Sequence, residues 1–209
     1  MAAPQTGSIP IDIGARQAHV VGNSPRIEPL SRDEVDEETK AVVNRVRAAA
    51  AGSKQDPLPE YMRTLLKHPA IFRCQMETGT TIFRGMIPPR DRELAILRIA
   101  WLCRAPFEWG EHVEISKLRG VSPEEIERAT AGSSHAGWND HDRAIVRGVE
   151  ELLGDHALSD PTWEQLAKSW NEAQMIEYVT MIGQYATTAF IQNSLRVRLA
   201  PDNPGLSHR

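Results

Sequence analysis

The segment 88–104 constrains the fold of this chain more than any other part of the sequence. It opens with Pro88 and Pro89 and continues to RELAILRIAWLC, which ends at Cys103. Proline suits the first turn of an α-helix, where its missing N–H leaves no intrahelical bond unmade. The apolar residues that follow cover nearly the whole circumference of such a helix. The segment therefore predicts a central helix that is deeply buried.

The sequence from residue 31 onward carries further helical patterns. Ser31 with Glu34, and Ser122 with Glu125, have the spacing of capping boxes. No segment shows sustained alternation flanked by hairpin turns. Besides the central helix, we predict helices over 31 to about 52, after Pro57 or Pro59, over 69–85, 106–119, 123–130 and 140–153, after Ser159 or Asp160, and over 172–198. The prediction is an all-α protein with about eight or nine helices.

The two ends of the chain differ from this helical region. Residues 1–30 contain four prolines and three glycines, which predicts an extended or irregular arm that is not a helix. If ordered, such an arm lies on its own domain or on a neighbouring subunit. We place the helical domain at 31–200 and expect the tail PDNPGLSHR, residues 201–209, to be frayed.

Composition excludes several classes of protein. The 209 residues carry a formal net charge of −4, so no basic surplus indicates a nucleic acid or an anionic lipid as partner. No apolar stretch is long enough to span a bilayer. Cys74 and Cys103 fit neither a CxxC pair nor a zinc knuckle, and a cytoplasmic location is expected.

The richest chemistry lies between residues 90 and 120. Glu108 and His112 are four residues apart and share one face of the predicted helix 106–119, and Arg92 and Glu93 begin the central helix. Two carboxylates, an imidazole and an arginine suit proton transfer at carbon, because one group removes a proton, another returns it and a cation holds an anion. The alternative is structural, since Glu–His pairs at this spacing are common on solvated helix faces.

The same segment resembles a known family. The run from Arg92 to Gly120, with ELAILRIAW and EWGEH, and then GVSPEEI, is similar to the carboxymuconolactone decarboxylase family, which includes the alkylhydroperoxidase D-like proteins. The later segments DRAIVRGVEEL, SDPTWEQL and IEYVTMIGQYATTAFIQNS resemble the long form of that family. The resemblance covers roughly 30–200. It implies a compact multihelical alkylhydroperoxidase D-like domain that forms trimers or hexamers.

The peroxidase branch of the family uses a CxxC motif, a histidine four residues after the second cysteine, and an upstream glutamate. When His112 is placed on that histidine, Glu93 falls on the glutamate. The two cysteine positions then fall on Ala105 and Glu108. Cys103 has no partner at the required spacing, so the resemblance does not imply a thiol–disulfide cycle.

The decarboxylase branch has E-x-x-x-H on this helix, which Glu108 and His112 reproduce. The resemblance implies a lyase that needs no cofactor or metal and acts on a small carboxylated or aromatic-derived substrate. His112 would donate or accept the proton, Glu108 would orient it and Glu93 would complete a relay. The expected substrate-binding residues are Arg92, Trp109 and Tyr185.

Other interpretations remain open. A thiol peroxidase would need a reactive Cys103, and a non-catalytic binding protein on the same fold would need neither site. Gln184, Tyr185 and Asn193 are polar residues on the apolar last helix and are candidates for a pocket or for buried hydrogen bonds. The segment 135–142, HAGWNDHD, has metal-ligand residue types without a fixed ligand spacing, so we expect no metal there.

Overall fold

A computed structural model describes residues 12–41, 43 and 58–209 of the chain. The described residues form helices and loops without a β-strand, which confirms the all-α prediction. The α-helices are α1 (Ile13–Val20), α2 (Glu60–Leu65), α3 (Pro69–Phe83), α4 (Pro89–Leu102), α5 (Pro106–Leu118), α6 (Pro123–Ala131), α7 (Asp140–Gly154), α8 (Asp160–Ala167) and α9 (Glu172–Leu195). Short 3₁₀ turns cover Arg32–Glu34 and Gly205–Ser207. None of the described helices is long and apolar enough to cross a membrane.

Helix α4 is the centre of the fold, as its sequence predicts. Every residue from 91 to 100 is buried, and the helix contacts α5, α6, α7 and α9. Leu94 and Ile96 pack into one apolar cluster with α7 and α9, whereas Leu97 joins a second cluster with α5 and α6. Helix α4 is therefore enclosed by neighbouring helices on several sides.

Local signals set the helix boundaries around the centre. Prolines occupy the first turns of α4, α5 and α6. Ser122 and Glu125 form the predicted capping box, with the Ser122 N–H donating to Glu125 over 2.8 Å. Gly120 follows the end of α5 with φ +88°, a conformation that glycine adopts without a Cβ penalty. These signals are short-range, which is why the sequence locates them well.

The N-terminal arm contains a helix, so the expectation of an arm without helix is wrong for Ile13–Val20. The Asp12 carboxylate accepts from the Ala15 N–H at 2.9 Å and begins α1. The helix lies on its own domain, because Arg16 donates to the Arg104 carbonyl and Gln17 accepts from the Leu206 N–H. Residues 1–11 of the predicted arm lie outside the described residues.

The C-terminal tail is packed rather than frayed, which corrects a second expectation. Leu206 is fully buried, and the His208 carbonyl accepts a hydrogen bond of 3.0 Å from the indole of Trp109. The Asn203 side chain occupies the space above Gly110, where a Cβ would collide with it. One apolar residue and several backbone acceptors thus hold a tail that looks polar in sequence.

Two helix boundaries differ from their predictions. The capping box at Ser31 and Glu34 is present but caps only one 3₁₀ turn, and helical backbone resumes at residue 37, where Asp36 accepts from the Thr39 N–H. The predicted continuation to Gly52 and the following loop fall largely outside the described residues. Helix α9 ends at Leu195, because Arg196 adopts a left-handed conformation with φ +56°.

Candidate active site

Helices α4 and α5 bring Glu93, Glu108 and His112 together. The Glu93 Oε2 atom lies 2.7 Å from His112 Nδ1. The Glu108 Oε1 atom lies 3.3 Å from His112 Nε2 on the other side of the ring. The imidazole is therefore held between two carboxylates, one from each helix.

Burial and charge together set the protonation of this cluster. The side chains of Glu93, Glu108 and His112 are 1%, 6% and 12% exposed. Burial disfavours the charged imidazole, but the charge of Glu93 and hydrogen bonds to both carboxylates outweigh it and raise the pKa of His112 to about 10. At neutral pH the ring is an imidazolium with an N–H directed at each carboxylate.

Each carboxylate has a second partner. The Arg92 guanidinium lies 3.3 Å from the other oxygen of Glu93, and Gln192 donates to the second oxygen of Glu108 at 2.5 Å. Arg92, Glu93, His112 and Glu108 thus form a row of alternating charges with no net charge. Such a row satisfies buried charges that would otherwise be costly to remove from water.

Arg92 does not occupy the position expected of a substrate-binding residue. Its side chain is 2% exposed, its Nη1 donates to the Phe83 carbonyl at 2.8 Å, and its guanidinium lies 4.5 Å from the centre of the Phe83 ring. Because protein groups already occupy it, Arg92 supports Glu93 and the end of α3 rather than a ligand.

Trp109 also lies away from the site. Its side chain is fully buried among residues of α4, α5 and α6, and its N–H is taken by the His208 carbonyl. Adjacent residues on a helix project about 100° apart, so proximity to Glu108 in sequence does not give proximity in space. The expectation that Trp109 contacts substrate is not met.

A cavity of about 170 Å³ adjoins the cluster. Glu108 and His112 form part of its wall, whereas Glu93 lies behind His112 and is not among the lining residues. Much of the remaining wall is apolar or aromatic, from Tyr61, Met62, Met76, Phe83, Phe107 and Ile115. This arrangement, an apolar hollow with a few convergent polar groups, is typical of small-molecule sites.

Tyr185, predicted as a substrate-binding residue, lines the cavity. Its ring packs edge-to-face on His112, with centroids 5.4 Å apart and planes at 84°. Burial raises the pKa of Tyr185 well above its usual value, and the charge of Glu93 adds to this shift. The hydroxyl therefore stays protonated across the working pH range.

Of the other polar candidates on α9, one lines the cavity and one does not. Gln184 lines the cavity and donates to Gln75, whereas Asn193 donates to the Cys103 carbonyl and is not part of the wall. Gln192 was missed by the sequence interpretation. Gln192 lies one helical turn after Thr188, and both residues line the cavity. This spacing could have indicated Gln192, but the sequence does not show which side of α9 faces α5.

Neither cysteine lines the cavity, and both are free thiols. Cys74 is exposed on α3. Burial raises the pKa of Cys103 to about 11, with a further contribution from the charge of Glu108. A thiol with so high a pKa contains little thiolate at neutral pH.

The segment considered as a metal site is engaged in other contacts. His141 Nε2 lies 3.0 Å from Asp91, Asp142 pairs with Arg90 over 2.8 Å, and His135 accepts from the Gly137 N–H. Within residues 12–41, 43 and 58–209, no three His, Cys, Asp or Glu side chains form a group that could hold a metal ion.

Solved structures place this fold among alkylhydroperoxidase D-like helical proteins. A cysteine-to-alanine variant of the debrominase Bmp8, in complex with 2,3,4-tribromopyrrole, superposes with a TM-score of 0.71 at 16% identity over 87% of this chain and 94% of that chain. An uncharacterized peroxidase-related protein from Silicibacter sp. gives 0.68 at 10% identity over 87% and 96%. An alkylhydroperoxidase AhpD core protein from Ralstonia eutropha gives 0.60 at 12% identity over 68% and 77%.

A family model matches the central part of the sequence. Residues 69–150, which run from α3 into α7 and include Glu93, Glu108 and His112, match the carboxymuconolactone decarboxylase family. This match, together with the fold, confirms the family resemblance seen in the sequence. No curated protein matches the chain.

Proposed function

We propose that this protein is a cofactor-independent enzyme that transfers a proton to carbon in a small substrate, as a decarboxylase-type lyase does. One observation carries the proposal: His112 is held between two buried carboxylates at the wall of an apolar cavity. A structural ion pair does not require a cavity beside it, whereas an acid catalyst requires access to substrate.

The two ring nitrogens of His112 have different tasks in this proposal. Nδ1 is tightly bound to Glu93 at 2.7 Å, whereas Nε2 is 3.3 Å from Glu108, at the long end for a hydrogen bond. The Nε2 proton is therefore the one available to a substrate. Glu93 acts as a positioning residue that fixes the ring and its charge.

The reaction is balanced as follows for a carboxylated lactone. The bond between the carboxylate carbon and the ring carbon breaks, its electron pair enters the conjugated carbonyl system, and CO₂ leaves. The resulting dienolate takes the Nε2 proton of His112 at carbon. A weak acid with a pKa of about 10 suits this step, because a carbanion-like base is strong enough to accept its proton.

The test is turnover of a carboxylated lactone, followed by CO₂ release and by deuterium incorporation in D₂O. We expect His112→Ala and Glu108→Gln to retain the fold by circular dichroism and to lose activity by at least about 100-fold. Glu114→Gln is the matched control, because Glu114 is an exposed carboxylate on the same helix. Full activity in both site variants would remove the proposal.

A thiol peroxidase is the second candidate, and it is favoured by the peroxidase-related protein among the structural neighbours. It requires Cys103 to react despite its raised pKa. Peroxide consumption with an external thiol, measured for the wild type and for Cys103→Ser, tests it. A rate that disappears in Cys103→Ser supports the peroxidase, and a rate that persists contradicts it.

Two further features stay predictions, namely the cytoplasmic location expected from the cysteine content and the homotrimer or homohexamer implied by the family resemblance. Exposed apolar residues on α9, among them Ile176 and Phe190, are consistent with a subunit contact.

A further inference from the structure

We infer that the cavity takes a small anionic substrate and that Arg84 binds its anionic group. The inference rests on the proposed function, since it assigns the substrate class for the same cavity. Arg84 follows the last residue of α3, is exposed to solvent and also lines the cavity. It therefore lies where the cavity meets solvent, and this is the role that the sequence analysis had given to Arg92.

The charges on the cavity wall leave Arg84 available. His112 and Glu108 are paired with each other, and Glu111 already has an interaction partner. Among the described residues, no carboxylate is within ion-pair distance of the Arg84 guanidinium. Since the inner row from Arg92 to Glu108 has no net charge, Arg84 is the cation on the described cavity wall that can pair with an entering anion.

The backbone around Arg84 is fixed from two sides. Arg92 donates to the Phe83 carbonyl. The Glu177 carboxylate accepts from the N–H groups of Met86 and Ile87, at 2.6 and 3.2 Å. Gly85 allows this close approach, because a Cβ there would lie 2.1 Å from a Glu177 oxygen. A fixed backbone reduces the entropy lost when the side chain binds an anion.

The rest of the cavity wall determines which ligand fits beyond its anionic group. Phe83, Phe107 and Ile115 give the same cavity an apolar wall beside Arg84 and His112. A cavity of about 170 Å³ is comparable to the engineered apolar cavity of about 150 Å³ that binds benzene. The expected ligand is thus a single ring that carries a carboxylate.

The anion held by Arg84 is not the carboxylate that leaves. An ion pair stabilises the charged carboxylate and would oppose its conversion to neutral CO₂. Arg84 therefore anchors a second anionic group that remains in the product. It follows that a ring carboxylate with no reactive bond should also bind.

Benzoate and its neutral isostere benzamide are the probes for this inference. Isothermal titration calorimetry on the full chain compares wild type with Arg84→Gln, and with Arg73→Gln as the control. Arg73 is an exposed cation on α3, the helix that Arg84 follows, and it does not line the cavity. We expect Arg84→Gln to weaken benzoate binding about tenfold, whereas benzamide binding and both ligands in Arg73→Gln change less than twofold.

Equal losses in Arg84→Gln and Arg73→Gln would overturn the inference, because they would indicate only a general charge effect. Absence of saturable benzoate binding, or equal affinity for benzoate and benzamide, would also overturn it. Circular dichroism confirms folding of each variant. These binding measurements do not need turnover. If the wild type binds benzoate selectively but turns over no carboxylated lactone, the proposed function is wrong and Arg84 is still an anion site.

Discussion

Two carboxylates of helix α4 each pair with a histidine, and the two pairs have similar contact geometry but different surroundings. Glu93 contacts His112 at 2.7 Å, and Asp91 contacts His141 at 3.0 Å. Each imidazole has an aromatic ring packed edge-to-face at 5.4 Å, from Tyr185 in the first case and from Trp170 in the second. Contact geometry alone does not distinguish a site from a structural contact.

The surroundings do distinguish the two pairs. His112 has a second carboxylate from Glu108 and borders the cavity, whereas His141 is not a cavity-lining residue and its Nδ1 lacks a hydrogen-bond partner among the described residues. Nearby, Arg90 joins Asp142 to Glu125 and ties α4 to α6 and α7. Three features distinguish a candidate for proton transfer from a common histidine–carboxylate pair. They are deeper burial, a second carboxylate and contact with a cavity.

The largest difference between the pairs should appear on removal of one charge from each. Glu93→Gln leaves Arg92 and His112 without their shared carboxylate in a buried place, and we expect it to lower the free energy of unfolding by about 3–5 kcal/mol. Asp91→Asn acts on a less deeply buried pair, with side chains 12% and 25% exposed, and should cost less, about 1–2 kcal/mol. Urea denaturation of both variants measures the two values.

Glu93→Gln should also reduce turnover strongly, while Asp91→Asn retains it. If both variants lose the same free energy of unfolding, the comparison fails, because the deeper burial of the Glu93 pair would then have no effect on stability. If Glu93→Gln fails to fold, Glu93→Asp, which keeps the charge and shortens the reach, should restore stability and leave activity low.

A pH titration sharpens the comparison next. The pKa of His112 is raised to about 10, and that of His141 is also raised, chiefly by its hydrogen bond to Asp91. An unfolded-chain histidine titrates near about 6.5, so the pairing of His112 stabilises the fold fully below that pH and is lost as pH rises through about 10. Turnover should fall over the same upper range.

Histidine side-chain NMR shifts, assigned with His112→Gln and His141→Gln, follow both rings. A His112 ring that titrates near neutrality would show that Glu93 and Glu108 do not hold its proton, and the acid assignment would fail.

The smallest expected effect concerns the two aromatic partners. Tyr185→Phe keeps the ring against His112 and removes only the hydroxyl, so the fold should be unchanged. If the protonated hydroxyl donates to substrate, KM should rise about fivefold with kcat nearly constant. Thr180→Val, a hydroxyl loss on the exposed face of the same helix, is the control. An unchanged KM would limit Tyr185 to packing, as for Trp170.

The sequence predicted the parts of this molecule that depend on local chemistry. Paired prolines and an apolar run located α4, and the four-residue spacing placed Glu108 and His112 on one face. Glu93 needed the family resemblance, because its contact with His112 joins two helices. Arg92 and Arg84 could not be separated in advance, since which arginine faces the cavity depends on how α3 packs against α4 and α9.

Errors had the same origin. Trp109 looked like a site residue because it stands next to Glu108, and the tail looked frayed because its residues are polar. Both expectations failed at one contact, the hydrogen bond from the Trp109 indole to the His208 carbonyl. Such long-range contacts have no signature in a short stretch of sequence.

Residues 203–209 pack against helix α5, which carries Glu108 and His112. Asn203 fills the notch at Gly110, and Lys117 donates to the carbonyl of Arg209 at 2.8 Å. These residues therefore pack against α5 on the side opposite to Glu108 and His112. We therefore expect removal of residues 203–209 to loosen α5 and with it the position of the His112 ring, although none of these residues lines the cavity.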